Sequence, residues 1–201
     1  VRGITNHSSG KMGFAIARAA QEAGAKVTLV AGPVHLPTPM GVQRVDVQSA
    51  QNMLDAVMAH VPQAGIFVAT AAVADWRMAH TAEHKLKKDG SGKPPVLNFT
   101  ENPDILATVA QLPQAQQGDL FCVGFAAESH DLEANATAKR ARKQVPLLVA
   151  NIGPATFGKD DNALLLVDEH GLTPMPPASK RVLAQQLVAE IARRLPGTQS
   201  A

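Results

Sequence analysis

The sequence predicts an α/β fold in which a mostly parallel sheet carries helices on both faces, with a β-hairpin near the C-terminus. Short apolar runs rich in β-branched residues alternate with segments whose apolar residues recur at helical spacing. The run at 66–73 is almost entirely apolar, which is typical of a strand covered on both faces. Small or polar residues follow several of the runs. Together these observations favour a Rossmann-like sheet, whose ligands bind at the carboxyl ends of the strands.

The first half of the chain shows the alternation most clearly. Apolar residues between positions 12 and 23 form one helical stripe, and Gly24 is its expected stop. Short apolar runs predict three strands, at 26–31, 42–47 and 66–73. Before the third strand, Ser49 is the predicted cap of a helix whose apolar residues recur every third or fourth position, at Met53, Leu54, Val57, Met58 and Val61.

The second half is less regular. We interpret 74–95 as a long loop and 96–99 as a short strand. Asn102 is the predicted cap of a helix with Pro103 at its first position. The remaining elements are predicted in order as a strand at 120–125, a basic helix at 132–143, a strand at 147–150, a hairpin with its turn at 168–171 and a final helix capped by Ser179.

Composition limits the class of protein. A chain of 201 residues fits one domain, and 45% apolar with 18% charged residues is ordinary for a globular protein. The net charge of +2 gives no general attraction for nucleic acid, and no apolar run is long enough to span a membrane. A single cysteine, Cys122, excludes an internal disulfide framework and favours a cytoplasmic protein.

The most informative stretch is the turn at 5–13, where a strand is expected to lead into the first helix. Its glycines, Gly10 and Gly13, allow close approach to the backbone, and free N–H groups at a helix start attract anions. An ordinary turn capped by Ser8 or Ser9 explains the same residues equally well.

Three other groups of residues are candidates for a nucleotide site. The small residues of 69–75 leave room for a flat ring, the lysines of 84–88 can neutralise phosphates, and Lys139 and Lys143 share one helical face. Each has a plain alternative, because small residues also serve close packing and most lysine tracts are solvated.

Several segments together resemble one family. The motif Ile4-Thr5-Asn6-His7-Ser8-Ser9-Gly10-Lys11-Met12-Gly13 resembles the signature of the phosphopantothenate–cysteine ligases. Other segments match the family in order: Ala71-Ala72-Val73-Ala74-Asp75-Trp76, Lys85-Leu86-Lys87-Lys88, Asn102-Pro103-Asp104-Ile105, Val123-Gly124-Phe125-Ala126-Ala127-Glu128 and Asp160-Asp161-Asn162-Ala163. The resemblance covers essentially the whole chain and is strongest to the bacterial, CTP-using form.

The resemblance implies roles for individual residues. Asn6 matches the asparagine that holds the acyl group, and Lys85 matches the lysine of a mobile loop that closes on the phosphates. The turn that receives phosphopantothenate would consist of Asn6, Ser8, Ser9 and Gly10. The remaining nucleotide contacts would come from Ala69, Thr70, Ala71, Asp75, Pro103, Asp104, Ile105, Leu106, Phe125, Lys139 and Lys143.

The resemblance also implies a reaction of coenzyme A biosynthesis. Phosphopantothenate and CTP would give an acyl-cytidylate, which cysteine converts to the amide. The implied cofactor is Mg²⁺; its ligands are unknown, and because no His/Asp/Glu spacing suggests a cage, we expect it to bind mainly through the triphosphate. A homodimer is implied, and the family's bacterial members are often fused to an upstream FMN-dependent decarboxylase half.

Some features depart from the family. The family's first strand and the turn that follows it are missing before Val1, Gly3 replaces a large apolar residue, and Ile152 follows Asn151 where aspartate is common. A Tyr/Lys reductase is excluded because the chain has no tyrosine, and Gly10-Lys11 lacks the other residues of a P-loop. A non-catalytic nucleotide-binding module, or a truncated subunit, remains an alternative.

Overall fold

The computed structural model describes residues 8–80, 92, 96–128, 130–152 and 161–195. The elements in chain order are α1 Lys11–Glu22, β1 Thr28–Ala31, β2 Gln43–Asp46, α2 Ala50–His60, β3 Ile66–Ala69, β4 Trp76–Met78, β5 Phe99–Glu101, α3 Ile105–Ala110, α4 Pro113–Gln116, β6 Phe121–Glu128, α5 Leu132–Lys143, β7 Leu147–Ile152, β8 Asp161–Asp168, β9 Gly171–Ser179 and α6 Lys180–Arg194. Among these helices, none is long and apolar enough to cross a membrane.

The largest sheet has five strands in the order β3-β6-β7-β8-β9. The first three are parallel, whereas β8 and β9 are added antiparallel as a hairpin. A separate parallel pair is formed by β1 and β2, and an antiparallel pair by β4 and β5. The predicted Rossmann-like sheet, mostly parallel with a C-terminal hairpin, is therefore confirmed.

Helices cover the five-stranded sheet on both faces because side chains alternate along each strand. In β7, Leu147 and Val149 pack toward α1 and α6, while Leu148 and Ala150 pack toward α2, α3 and α5. All four are fully buried, so the apolar run at 147–150 serves two cores at once. Burying one such leucine contributes about 1.5–3 kcal/mol.

Several predicted boundaries are correct. Ser49 accepts a hydrogen bond from the amide of Asn52, and Ser179 accepts one from Val182, so both cap their helices. Gly24 follows the end of α1 with a φ of 93°, a conformation that favours glycine. The turn at 168–171 joins β8 to β9 as expected.

The predicted cap of α3 is wrong, and the alternative interpretation of the turn before α1, a cap by Ser8 or Ser9, is not observed either. Helix α3 is capped by Asp104, whose side chain accepts the amide of Ala107, and not by Asn102. Helix α1 is preceded by Gly10 at a φ of 73°, without a side-chain cap from Ser8 or Ser9. Asn102 lies two residues before the observed cap, and α3 begins at Ile105 rather than at Pro103.

The predicted loop at 74–95 and the strand at 96–99 also need correction. β3 ends at Ala69 instead of continuing to residue 73. Residues 76–78 instead form β4, which pairs with residues 99–101, so the second strand begins three residues later than predicted. The predicted lysine tract at 84–88 lies outside the described residues, as do the strand expected before the first helix and Asn6.

Candidate functional site

The carboxyl ends of β3 and β6 lie side by side and form the centre of the candidate site. Ala69, the last residue of β3, is paired in register with Gly124 of β6, and Phe125 follows it. Because the strands are parallel, both run toward the same edge of the sheet, where β3 ends at Ala69 and β6 continues beside β7 to Glu128. The segment 70–75 therefore leaves the sheet next to residues 125–128 of β6, so two of the segments predicted to bind nucleotide are neighbours.

The turn before α1 lies against this edge. A methyl group added to Gly13 would lie 2.6 Å from Oγ1 of Thr70, so the helix approaches the strand end as closely as glycine permits. The three predicted turn residues Ser8, Ser9 and Gly10 directly precede the helix, and the amide of Lys11 donates to Oγ of Ser9 at 3.5 Å. The helix N-terminus contributes partial positive charge at this edge.

Asn102 connects the strand end to the second predicted nucleotide turn. Its side-chain amide donates to the carbonyl of Ala74 at 2.7 Å, and its backbone amide donates to the carbonyl of Asp75 at 2.8 Å. These bonds continue the β4–β5 ladder toward the sheet. Asp75 is consequently held beside Pro103 and Asp104, although they are almost thirty residues apart in the chain.

The predicted lysines of α5 face acidic residues at the same edge. The ammonium of Lys143 forms an ion pair with Asp104, and that of Lys139 lies 3.6 Å from Oε1 of Glu128. The helix thus points both charges at the ends of β6 and α3, rather than into bulk solvent. Each lysine therefore has a carboxylate partner in this structure.

The predicted nucleotide residues do not all share one face of the sheet. Leu106 contacts β6 at Gly124, where a methyl group would lie 2.7 Å from its Cδ2 atom, and Ile105 is buried in the same core. Phe125 packs on the opposite face, toward α1. Ile105 and Leu106 therefore contribute mainly to packing, whereas Ala71 and Asp75 are exposed at the edge.

The thiol of Cys122 offers no alternative chemistry. It lies buried within β6, and burial raises its pKa to about 11. At neutral pH it stays protonated and is a poor nucleophile. In the described part of the chain, no group of three or more His, Cys, Asp or Glu residues could hold a metal ion.

The smaller of two clefts on the described surface adjoins the predicted site. The larger, of about 520 Å³, is lined by residues that precede β6 and β7, so it lies at the opposite edge of the sheet. The smaller, of about 460 Å³, follows β1 and β2 and includes Gly32, Val34 and Arg44. Position at the carboxyl ends of the strands, rather than size, therefore identifies the candidate site.

Sequence reasoning missed two members of this edge. Glu128 is the last residue of the motif at 123–128, which could have marked it as a site residue. Nothing in the sequence indicates its ion pair with Lys139. Asn102 had been assigned as a cap, whereas it bridges two backbone segments. The two residues implied to be catalytic, Asn6 and Lys85, lie outside the described residues.

Comparisons with known proteins match almost the whole chain. The family described as the C-terminal domain of DNA/pantothenate metabolism flavoproteins matches residues 1–195. The coenzyme A biosynthesis bifunctional protein CoaBC of Vibrio cholerae is 48% identical over 191 residues, which are 94% of this chain and 47% of that protein. The CoaBC protein of Escherichia coli is 48% identical over 198 residues, covering 96% and 48%.

A solved structure shows the same fold. The crystal structure of the C-terminal domain of a CoaBC protein superposes with a TM-score of 0.79 at 34% identity, covering 95% of this chain and 85% of that one. The chain spans about half the length of the curated relatives it matches.

Proposed function

Because the chain belongs to the family of DNA/pantothenate metabolism flavoprotein C-terminal domains, we propose that it is a CTP-dependent phosphopantothenate–cysteine ligase of coenzyme A biosynthesis. The observation that carries the proposal is the meeting of three segments at one sheet edge. The close contact of Gly13 with Thr70 joins the anion-friendly turn to the strand end, and Lys139 and Lys143 face the same edge from α5.

The proposed reaction has two steps. A carboxylate oxygen of phosphopantothenate attacks the α-phosphorus of CTP, the bond to the β-phosphate breaks, and pyrophosphate leaves. The amine of cysteine then attacks the acyl carbon, the bond to CMP breaks, and the amine gives up a proton. The products are phosphopantothenoylcysteine, CMP and pyrophosphate.

The residues in this proposal act mainly by neutralising and orienting anions. The first step brings a carboxylate toward a triphosphate, so positive charge at the site lowers the barrier. Lys139 and Lys143 would exchange their carboxylate partners for phosphate oxygens, and Lys85 would close on the leaving group. Asn6 would hold the acyl group with an uncharged amide, while the small residues at 69–72 would read the base through backbone groups.

Mg²⁺ is proposed to enter with the triphosphate, because the described residues offer no metal cage. Its chemistry there would be neutralisation of phosphate charge. FMN is proposed only for a fused decarboxylase half, which the length of the relatives supports. A coenzyme-biosynthetic reaction and an unpaired cysteine both fit a cytoplasmic location.

A homodimer is proposed as the working form, and the β4–β5 pair is its expected contact. Trp76 and Phe99 lie on the same face of this pair and are 53% and 45% exposed. Neighbouring Val96 and Leu97 are exposed as well. Apolar side chains grouped in this way favour a protein partner, and the pair adjoins Asp75, so the contact would lie near the nucleotide.

The proposal is tested by measuring pyrophosphate release and amide formation with CTP, ATP and UTP in turn. Both products should require phosphopantothenate, and CTP should be preferred by at least about 100-fold because wrongly patterned bases leave site groups unpaired. Nucleotide binding without any pyrophosphate release would instead indicate a non-catalytic module. Equal turnover with ATP would contradict CTP dependence while leaving the ligase assignment intact.

A further inference from the structure

Arg44 of β2 connects three separate segments through one guanidinium. Nη1 donates to the carbonyl of Leu36 at 2.7 Å, Nη2 donates to that of Val34 at 3.4 Å, and Nε donates to Oδ1 of Asp46 at 2.7 Å. The guanidinium carbon also lies 5.2 Å from the centre of the Phe14 ring in α1. The side chain is only 17% exposed, so its fork and its flat face are both engaged within the protein.

The loop that Arg44 holds, residues 33–36, lies directly against the start of α1. A methyl group at Gly10 would lie 3.1 Å from Cγ1 of Val34 and 3.6 Å from Cδ1 of Leu36. Gly10 has a φ of 73°, and its carbonyl accepts the amide of Phe14 at 3.1 Å. Gly10, which immediately precedes α1, therefore packs against the loop, while Phe14 in the first turn of α1 packs against Arg44.

We propose that Arg44 is a positioning residue that fixes the turn at 8–13 by holding both the 33–36 loop and Phe14. This inference rests on the proposed function, which assigns that turn to phosphopantothenate. The guanidinium is occupied by two carbonyls, a carboxylate and a ring, so its role is geometric and not the direct attraction of substrate. Geometry of this kind matters because a displacement of about 1 Å in a substrate-positioning element can lower the rate by about 100-fold.

The kinetic test compares Arg44→Gln, Arg44→Lys and a control, Arg194→Gln. Arg194 is similarly enclosed, because its side chain is 20% exposed and forms ion pairs with Asp168 and Glu190. It lies at the end of α6, away from the turn at 8–13. Arg44→Gln should lower kcat/KM for phosphopantothenate by about 100-fold while KM for CTP stays near wild type. Arg44→Lys should not restore it, because an ammonium cannot reproduce the planar fork.

If Arg44→Gln does not fold, the milder variant Asp46→Asn provides the test. Asp46 is an exposed residue, so Asp46→Asn should fold normally and should weaken only the contacts that Nε and Nη2 of Arg44 make with its carboxylate. It should lower kcat/KM for phosphopantothenate in the same direction by a smaller factor. Full rescue by Arg44→Lys, or equal losses in Arg194→Gln, would overturn the positioning role.

A second readout does not depend on activity. Hydrogen exchange of the backbone amides in 9–14 and 34–36 should be faster in Arg44→Gln or Asp46→Asn than in the wild type, and unchanged there in Arg194→Gln. If wild-type protein forms no amide product, the proposed function has failed, and exchange alone decides the inference. Unchanged exchange in both segments in the Arg44 and Asp46 variants would refute it.

Discussion

Gly13 of α1 lies so close to Thr70, the residue after β3, that an added methyl group would meet the threonine hydroxyl. A methyl group at position 13 would lie 2.6 Å from Oγ1 of Thr70 and 3.7 Å from its Cβ. The crowding involves the hydroxyl, which can rotate away, more than the backbone. Any larger residue at position 13 must therefore move the threonine side chain or the helix.

We expect Gly13→Ala to reduce activity more than stability. Alanine favours a helix over glycine by about 1 kcal/mol, while overpacking costs about 1–3 kcal/mol, so the free energy of unfolding should fall by at most about 2 kcal/mol. The displaced strand end should lower kcat/KM by about 100-fold. Urea unfolding and steady-state kinetics measure the two effects.

The matched control is Gly65→Ala, because an added methyl group there meets nothing within 4 Å. A second variant, Gly13→Ala combined with Thr70→Ala, should be more stable than additivity predicts, since the crowded hydroxyl is gone. Strict additivity, or wild-type activity in Gly13→Ala, would show that the contact does not matter.

For Asn6, the prediction concerns charge. Asn6→Asp retains the shape of the side chain but adds a negative charge beside an anionic intermediate, so amide formation should be lost while the fold survives. Asn52→Asp is the control, because it adds the same charge to the exposed first turn of α2. Circular dichroism reports folding and product formation reports activity; a well-folded Asn6→Asp protein with normal turnover would leave Asn6 as a turn residue only.

Lys85 is expected to act in the transition state. Its charge would meet oxygens that become more negative as pyrophosphate leaves, and removing one such donor typically lowers the rate by about 100- to 1,000-fold. Lys85→Gln should show that loss in single-turnover formation of the acyl-cytidylate, with a much smaller change in CTP affinity. Lys87→Gln is the control, and equal, near-wild-type rates in both variants would mean that these lysines are interchangeable solvated charges.

We expect the free energy of unfolding to depend on pH through the carboxyl group of Asp168. Burial alone would raise the pKa of its carboxyl, but hydrogen bonds from Arg194 and from the amide of His170, with the nearby positive charge, lower it overall. A lowered folded-state pKa stabilises the protein above the ordinary value of about 3.9, and that stabilisation is lost as pH falls through the folded-state pKa.

Asp168→Asn should therefore reduce the free energy of unfolding at pH 7 by about 1–3 kcal/mol and should flatten its decline below pH ~4. Arg194 would keep Glu190 as a partner. Thermal unfolding between pH 3 and 7 measures the effect, with exposed Asp119→Asn as control. An acid decline in Asp168→Asn as steep as in the wild type would contradict the assignment.

Periodic patterns in the sequence predicted the parts of the fold that depend on local signals. The run at 147–150 and the caps Ser49 and Ser179 each carry their own physical cause, namely alternating burial or a hydroxyl that satisfies a free amide. The pairing of β4 with β5 had no such signal, because Trp76 and Phe99 are separated by more than twenty residues and remain exposed. Strand pairing over that distance is decided by the rest of the fold.

For the candidate site, the sequence likewise predicted some features and not others. Resemblance to a family selected the residues, and the adjacency of parallel strand ends brought several of them together. The sequence could not decide between Asn102 and Asp104 as the cap of α3, because both residue types are good caps. In the structure, the side chain of Asn102 bonds to the backbone at Ala74, and Asp104 caps the helix. The ion pairs of Lys139 and Lys143 likewise depend on how α5 is rotated against β6.

The outermost position of β9 has a consequence for self-association. As described, the five-stranded sheet ends on that side at β9, and this strand contains Pro174, Pro176 and Pro177. Proline has no backbone N–H to offer to an incoming strand, so this margin resists extension by a neighbouring chain and protects against edge-to-edge aggregation. When the protein is concentrated, we therefore expect little growth of the sheet through β9.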